Sequence, residues 1–295
     1  MIKKTIFSGV ATALITPFKC GEIDFEALGS IIDFQIESGV DALVVAGTTG
    51  EASTLTESER YALYEFTAKH AGGKLPLIFG TGTNDTAAAV KYTKKASELG
   101  ADAALVVTPY YNKGTASGIV SHYRTIANCS DLPIILYNVP SRTGVNLTIA
   151  AARELSSEEN VVGIKEASDS TDRLVELSEL SDSLTLYSGN DTQTHVTLSL
   201  GGSGIISVAS NIAPKSVLKI TQSFTRGDTS AALAAQKALL PLCRALFLET
   251  NPAPIKYLMS KRGFCSPDMR LPLSVPSGET MRKIDEILKS TPDLY

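Results

Sequence analysis

One connection recurs in this chain: a helix end, a glycine, an aspartate and an apolar run. Glu37-Ser38-Gly39-Val40-Asp41-Ala42-Leu43-Val44-Val45 parallels Glu98-Leu99-Gly100-Ala101-Asp102-Ala103-Ala104-Leu105-Val106-Val107. Glycine suits the left-handed position that ends a helix. A repeated α-to-β connection is the mark of a barrel or a doubly wound sheet. Eight apolar runs fit that pattern: 10–15, 42–46, 76–79, a fourth ending at Thr108, 133–138, 161–167, 184–189 and 204–208. Helical spacing fills the intervals. Asp24 caps a run with Leu28, Ile31, Ile32 and Ile36 on one face, and Thr56-Glu57-Ser58-Glu59 is a capping box. Eight even units suit an α/β fold of the (β/α)8 TIM barrel type, typically ~250 residues, better than a doubly wound sheet. After about Phe224 the strands stop, and 228–247, 254–262 and 279–288 have the spacing of three helices. The expected layout is a barrel over 1–224 that carries the active site and a C-terminal all-helical appendage over 225–295.

Composition removes several classes of function. The chain has 295 residues and a formal net charge of -4, so it lacks the basic surplus that non-specific nucleic-acid binding needs. No apolar run reaches the ~18 residues of a membrane span. Met1-Ile2-Lys3-Lys4 is not followed by a long apolar stretch and a small-residue cleavage site, so no signal peptide is expected. Cys20, Cys129, Cys243 and Cys265 are scattered and form no CxxC; they suit reduced thiols in a cytoplasmic protein.

The sixth run, Val161-Val162-Gly163-Ile164-Lys165-Glu166-Ala167, carries a lysine near its C-terminal end. A buried ammonium is paired or has lost its proton. Desolvation and a neighbouring cation both favour the neutral amine, the form that attacks a carbonyl. A strand-end lysine that snorkels to water has the same local sequence, so the decision rests on its surroundings.

In a barrel the chemistry lies at the C-terminal ends of the strands. Thr48 and Thr49 follow the second run, Tyr110 and Tyr111 the fourth, Tyr137 ends the fifth with Arg142 just beyond, and Ile206 lies in the eighth. Singly these residues are packing, turn or surface residues; together at one mouth they support imine chemistry. The lysine amine condenses with a 2-oxo acid, a proton leaves the adjacent carbon, and the Tyr137 phenol shuttles protons. Hydroxyls and amides of residues 47–50 hold the oxo acid's carboxylate, and Arg142 forks onto a second carboxylate. This chemistry requires no metal. His70, His122 and His195 fall on expected helices. Gly80-Thr81-Gly82 lacks the third glycine of a dinucleotide fingerprint, where Asp85 stands, and Gly201-Gly202-Ser203-Gly204 precedes a strand as a tight turn.

Four segments together resemble the 4-hydroxy-tetrahydrodipicolinate synthase family, within the pyruvate-dependent class I aldolases of the N-acetylneuraminate lyase superfamily. They are Gly47-Thr48-Thr49-Gly50-Glu51, Pro109-Tyr110-Tyr111-Asn112, Tyr137-Asn138-Val139-Pro140-Ser141-Arg142-Thr143-Gly144 and Gly163-Ile164-Lys165-Glu166-Ala167. The likeness runs nearly end to end and includes Asn251-Pro252-Ala253-Pro254-Ile255-Lys256. It implies a lyase of lysine and diaminopimelate biosynthesis that joins pyruvate to L-aspartate 4-semialdehyde, with no cofactor beyond a covalent pyruvate imine on Lys165. Tyr137, Thr48 and Tyr111 would be the proton relay, Tyr111 coming from the neighbouring subunit of a homotetramer built as a dimer of dimers. Thr49 would bind the pyruvate carboxylate, Ile206 would lend a backbone carbonyl, and Arg142 would bind the semialdehyde carboxylate. Arg142 separates this reading from its alternative, an aldolase of sialic or 2-keto-3-deoxy sugar acids. A non-catalytic barrel would be expected to have lost the lysine. The resemblance also places a lysine effector site near Ala52, Ser53, Asn84 and Tyr110. Glu57 and Ala88 stand at the positions of two further effector contacts, and Ala88 offers no carboxylate, so weak or absent feedback by lysine is expected.

Overall fold

The computed structural model describes residues 3–290, so Met1, Ile2 and the expected tail's residues 291–295 lie outside the described residues. Eight strands, β1 (Gly9–Ala13), β2 (Ala42–Val45), β3 (Leu77–Gly80), β4 (Ala103–Val107), β5 (Ile134–Asn138), β6 (Val161–Glu166), β7 (Thr185–Ser188) and β8 (Gly204–Ser207), form a closed parallel barrel in chain order. The connecting helices are α1 (Phe25–Ser38), α2 (Glu57–Ala71), α3 (Thr86–Glu98), α4 (Ala116–Ala127), the single turn α5 (Pro140–Thr143), α6 (Ile149–Leu155), α7 (Thr171–Ser178), α8 (Thr194–Ser199) and α9 (Pro214–Thr225). The expected (β/α)8 barrel is the fold. Closure requires glycine: a Cβ on Gly204 would lie 2.1 Å from the Gly9 carbonyl oxygen, where β8 meets β1.

The repeated aspartate has a structural explanation. Asp41 precedes β2 and accepts from the Val10 N–H in β1 at 2.7 Å. Asp102 precedes β4 and accepts from the Leu77 N–H in β3 at 2.8 Å. Each satisfies an amide at the start of its neighbouring strand, where an unpaired donor would be costly. The helix ends also follow the sequence. Asp24 caps α1, Gly39 ends it at φ 81°, and Thr56 and Glu59 form the reciprocal capping box of α2. β5 stops at Asn138, directly before Val139-Pro140. Pro140 then opens α5, because proline at the first helical position has its φ preset and no N–H to lose.

Side chains alternate between two cores. Ala11, Ala13, Ala42, Val44, Ile78, Leu105, Ile135 and Ile206 fill the barrel, while Leu43, Phe79, Val106, Leu136, Ile164 and Leu186 pack against the helices. Complete burial of one such aliphatic side chain contributes about 1.5–3 kcal/mol. Phe7 stacks on Tyr187 with centroids 4.3 Å apart, and the Tyr187 hydroxyl donates to the Phe7 carbonyl at 3.0 Å. The N-terminal segment reaches further, for the Lys3 ammonium donates to the Ser156, Glu158 and Val161 carbonyls, each at 2.6 Å. It thereby ties the turn that leads into β6. Among the described residues, three helices follow the barrel, α10 (Thr229–Ala245), α11 (Ala253–Lys261) and α12 (Gly278–Ser290). Helix α10 lies along α9, and α12 packs on both α10 and α11.

Candidate active site

Lys165 sits in β6, 5% exposed, and faces the barrel interior. Its register partners are Tyr137 in β5 and Tyr187 in β7. The amine lies 4.3 Å from the centroid of the Tyr137 ring. An irregularity between Ile134 and Ile135 adds Val162 to β6 and shifts the register below the lysine. Such a bulge re-aims the side chains beyond it.

The opposite face of the same strands is locked. Asn138 donates to both Glu166 carboxylate oxygens, at 2.9 and 3.0 Å, and its own side-chain carbonyl oxygen accepts from the Leu147 N–H at 2.9 Å. Arg173 donates through Nε to Glu166 at 2.7 Å and through Nη2 to the Leu147 carbonyl. The Ser168 N–H donates to Glu166 at 2.8 Å. Glu166 is fully buried, and its charge is matched by Arg173 and three hydrogen bonds from Asn138 and Ser168. Because Asn138 and Glu166 immediately follow Tyr137 and Lys165, this network fixes the phenol and the amine relative to each other.

Thr48 and Thr49 occupy the turn after β2. The turn closes on itself: Gly50 and Glu51 donate to Gly47 and Thr48, each at 3.1 Å, and the Thr16 hydroxyl donates to the Gly50 carbonyl at 2.7 Å. Among the described residues, no protein acceptor takes the Thr48 or Thr49 N–H. Two such amides beside two hydroxyls can hold a carboxylate. The turn is anchored from the helical tail. Glu51, at φ 54°, is fully buried and accepts from the Lys256 ammonium at 2.6 Å and from the Arg270 N–H at 3.3 Å. Burial pushes the Lys256 ammonium pKa down, and Glu51 opposes that shift.

Arg142 lies on α5, exposed, and donates to the Asn251 backbone carbonyl at 2.9 Å. The Asn251 side-chain amide donates to the Thr49 hydroxyl at 3.0 Å. Two groups that the sequence marks for carboxylate binding thus meet at one tail residue. Ile206 is buried in the barrel core, and Ser207 after it donates to Asp191 at 2.5 Å. Asp191 also accepts from the Val208 and Ala209 amides at 3.0 and 3.2 Å. Burial pushes the Asp191 carboxyl up; these donors and the positive charge of Lys165 pull the other way. The pattern of strands does not point to Asp191 or Asn251. The one signal for Asp191 is its place just beyond the end of β7, the kind of position that the other mouth residues occupy.

Tyr111 stands apart. It is 88% exposed and has φ 72°, with the Asn112 N–H donating to the Tyr110 carbonyl at 2.9 Å. That is a γ-turn of the rare, strained type, and a bulky residue held there points to a function. Nearby, the Asn112 side chain donates to the Asn84 carbonyl at 2.9 Å, and the Tyr110 hydroxyl lies 3.4 Å from that of Thr83. Ala52 and Ser53 form the turn before α2, where the Ala52 carbonyl accepts from Arg60 at 2.7 Å. Glu57 is paired with Lys91 at 2.6 Å.

Of the three histidines, all on helices, His70 pairs with Asp33 at 3.0 Å and His122 is buried. Gly80 and Gly82 are close-approach glycines: a Cβ there would lie 2.2 Å from the Ala46 carbonyl oxygen and 2.3 Å from the Val107 nitrogen. Among the described residues there is no cluster of three or more His, Cys, Asp or Glu fit to hold a metal ion.

Residues 6–291 match the model of the Dihydrodipicolinate synthetase family. The chain belongs to this family. It is 46% identical over 287 residues to the 4-hydroxy-tetrahydrodipicolinate synthase of Alkaliphilus oremlandii, covering 96% of this chain and 99% of that one. Among solved structures it superposes on the dihydrodipicolinate synthase of Aquifex aeolicus with a TM-score of 0.95 at 44% identity, covering 98% of this chain and 99% of the other. It also resembles the chloride-inhibited enzyme of Acinetobacter baumannii, solved with pyruvate, with a TM-score of 0.95 at 38% identity over 98% and 99% of the two chains. The family's barrel is the one described above.

Proposed function

We propose that this chain is a lyase that condenses pyruvate with L-aspartate 4-semialdehyde to 4-hydroxy-tetrahydrodipicolinate. Membership of the family and the full-length relatives of that name support the reading. The observation that carries it is the buried Lys165 amine set against the Tyr137 ring. The amine adds to the pyruvate carbonyl and water leaves, giving an imine. Loss of a methyl proton gives the enamine, whose carbon attacks the aldehyde and forms the new carbon–carbon bond. The amino group of the semialdehyde then attacks the imine carbon, closes the ring and releases Lys165. One water leaves overall and no electrons change hands, so the sequence of steps uses no redox cofactor.

Thr49 and the free amides of its turn take the pyruvate carboxylate, and Arg142 takes that of the semialdehyde. Ile206 lends its backbone carbonyl to the pyruvate side. Tyr137 and Thr48 relay protons with a Tyr111 supplied by a second copy, since the Tyr111 of this chain stands exposed at its own surface. We therefore assign a homo-oligomer, a dimer of dimers, with residues 225–295 bracing a catalytic barrel over 1–224. Four unpaired cysteines suit a cytoplasmic, reducing setting for a step of lysine and diaminopimelate synthesis. Ala52, Ser53, Asn84 and Tyr110 are assigned as the region of any lysine effect.

The test is purified protein with both substrates, followed through a coupled NADPH-consuming reductase. Pyruvate-dependent consumption is expected. Silence with active reductase, together with pyruvate release from a sugar acid, would favour the alternative aldolase.

A further inference from the structure

The tail of this enzyme does more than cover the barrel. We infer that Asn251 is a positioning residue that makes the two carboxylate-binding elements one mechanical unit, so that seating pyruvate prepares the semialdehyde site. The inference deepens the functional reading above and rests on it. Two hydrogen bonds carry it. The Asn251 side-chain amide donates to the Thr49 hydroxyl at 3.0 Å, and the Asn251 backbone carbonyl accepts from Arg142 at 2.9 Å. Thr49 lies on the turn after β2 and Arg142 on α5, and Asn251 bridges them from the helical tail. As acceptor from Asn251, the Thr49 hydroxyl keeps its own proton free for an incoming carboxylate.

A second observation separates positioning from packing. Asn251 is 4% exposed, and its side-chain carbonyl oxygen is buried with no hydrogen-bond partner. Such an orphan acceptor weakens the fold. An apolar side chain of the same size would avoid it, so stability alone does not explain the amide here. What the amide supplies is the link to Thr49. The frame behind it is stiff: five residues on, Lys256 anchors Glu51 of the same turn, so a shift at Thr49 is met by a fixed tail.

The test is Asn251→Leu alone and combined with Thr49→Val, which removes only the accepting hydroxyl. A residue kept for stability would lower the melting temperature of Asn251→Leu and leave the KM values alone; that result would overturn the proposal. The expected result is a melting temperature equal to or above the parent's, with KM raised about 3- to 10-fold for both substrates, the scale of one lost hydrogen bond. In the parent background Thr49→Val raises the KM for the semialdehyde, and in Asn251→Leu it raises it no further. Additive effects mean the two act independently and also overturn the proposal. If the parent turns over no semialdehyde, the functional reading fails first. The same cycle is then read in borohydride trapping of pyruvate, where non-additivity supports the Thr49–Asn251 unit and additivity refutes it.

Discussion

Replacing Lys256 by methionine leaves a carboxylate in the protein interior without its cation. Glu51 and Lys256 are both fully buried, 2.6 Å apart, and the ammonium lies 4.4 Å from the centroid of the Phe18 ring. Once Lys256 is gone, one Glu51 oxygen loses its donor, and the Arg270 amide at 3.3 Å is the only other hydrogen bond the carboxylate receives among the described residues. Breaking a buried pair by removing one partner costs about 3–5 kcal/mol, whereas replacing both by apolar or neutral groups of similar volume is far milder. At roughly 2 °C per kcal/mol for a chain of this size, Lys256→Met is expected to melt about 6–10 °C below the parent. The double variant Glu51→Gln with Lys256→Met recovers most of that loss. Because Glu51 closes the turn that carries Thr48 and Thr49, the single variant also raises the KM for pyruvate. Scanning calorimetry and steady-state kinetics on the parent, Lys256→Met, Glu51→Gln and the double variant decide the matter. A single-variant loss of less than about 1 kcal/mol, or a double variant worse than the sum of the singles, would refute the reasoning.

Other outcomes follow from the same structure. Burial holds His122 at a pKa of about 4 against 6.5 for a free histidine. Below pH ~6.5 the unfolded chain takes up a proton that the native state refuses, so stability falls as pH drops towards ~4 and levels off below it. The loss is on the order of 2–3 kcal/mol, and His122→Gln is expected to flatten that limb of the melting profile; parallel profiles would contradict it. Lys3→Met removes three hydrogen bonds from a half-buried ammonium and is expected to cost about 1–3 kcal/mol, seen as a lower melting temperature with the KM values unchanged. Glu57 is already engaged by Lys91, and Ala88 has no carboxylate, so lysine is expected to be a weak inhibitor or none. Half-inhibition well below a millimolar would show otherwise.

Local rules carry across from sequence to structure, and long-range side-chain partnerships do not. Gly39, the Thr56–Glu59 box and the repeated Asp41 and Asp102 each act within their own unit or on the adjacent strand, so periodicity exposes them. Lys165 is visible because a charge interrupts an apolar strand. The partners that make the site rigid are far apart in the chain. Asn251 and Thr49 are separated by 202 positions and Lys256 and Glu51 by 205, and neither spacing has a period to read. Glu166 and Arg173 are only 7 apart, yet they meet across a loop, where helical spacing offers no guide. Tyr111 shows the opposite case: its identity is plain in Tyr110-Tyr111-Asn112, but its strained backbone and its exposure need three dimensions.

The central claim is that Lys165 is the amine that captures pyruvate. Incubation of the protein with pyruvate and borohydride, followed by intact-mass measurement and peptide mapping, tests it directly. One reduced pyruvate per chain, located on the peptide containing Lys165 and absent in Lys165→Ala, is the predicted result. A stable adduct on another lysine, or undiminished turnover by Lys165→Ala, would contradict the account.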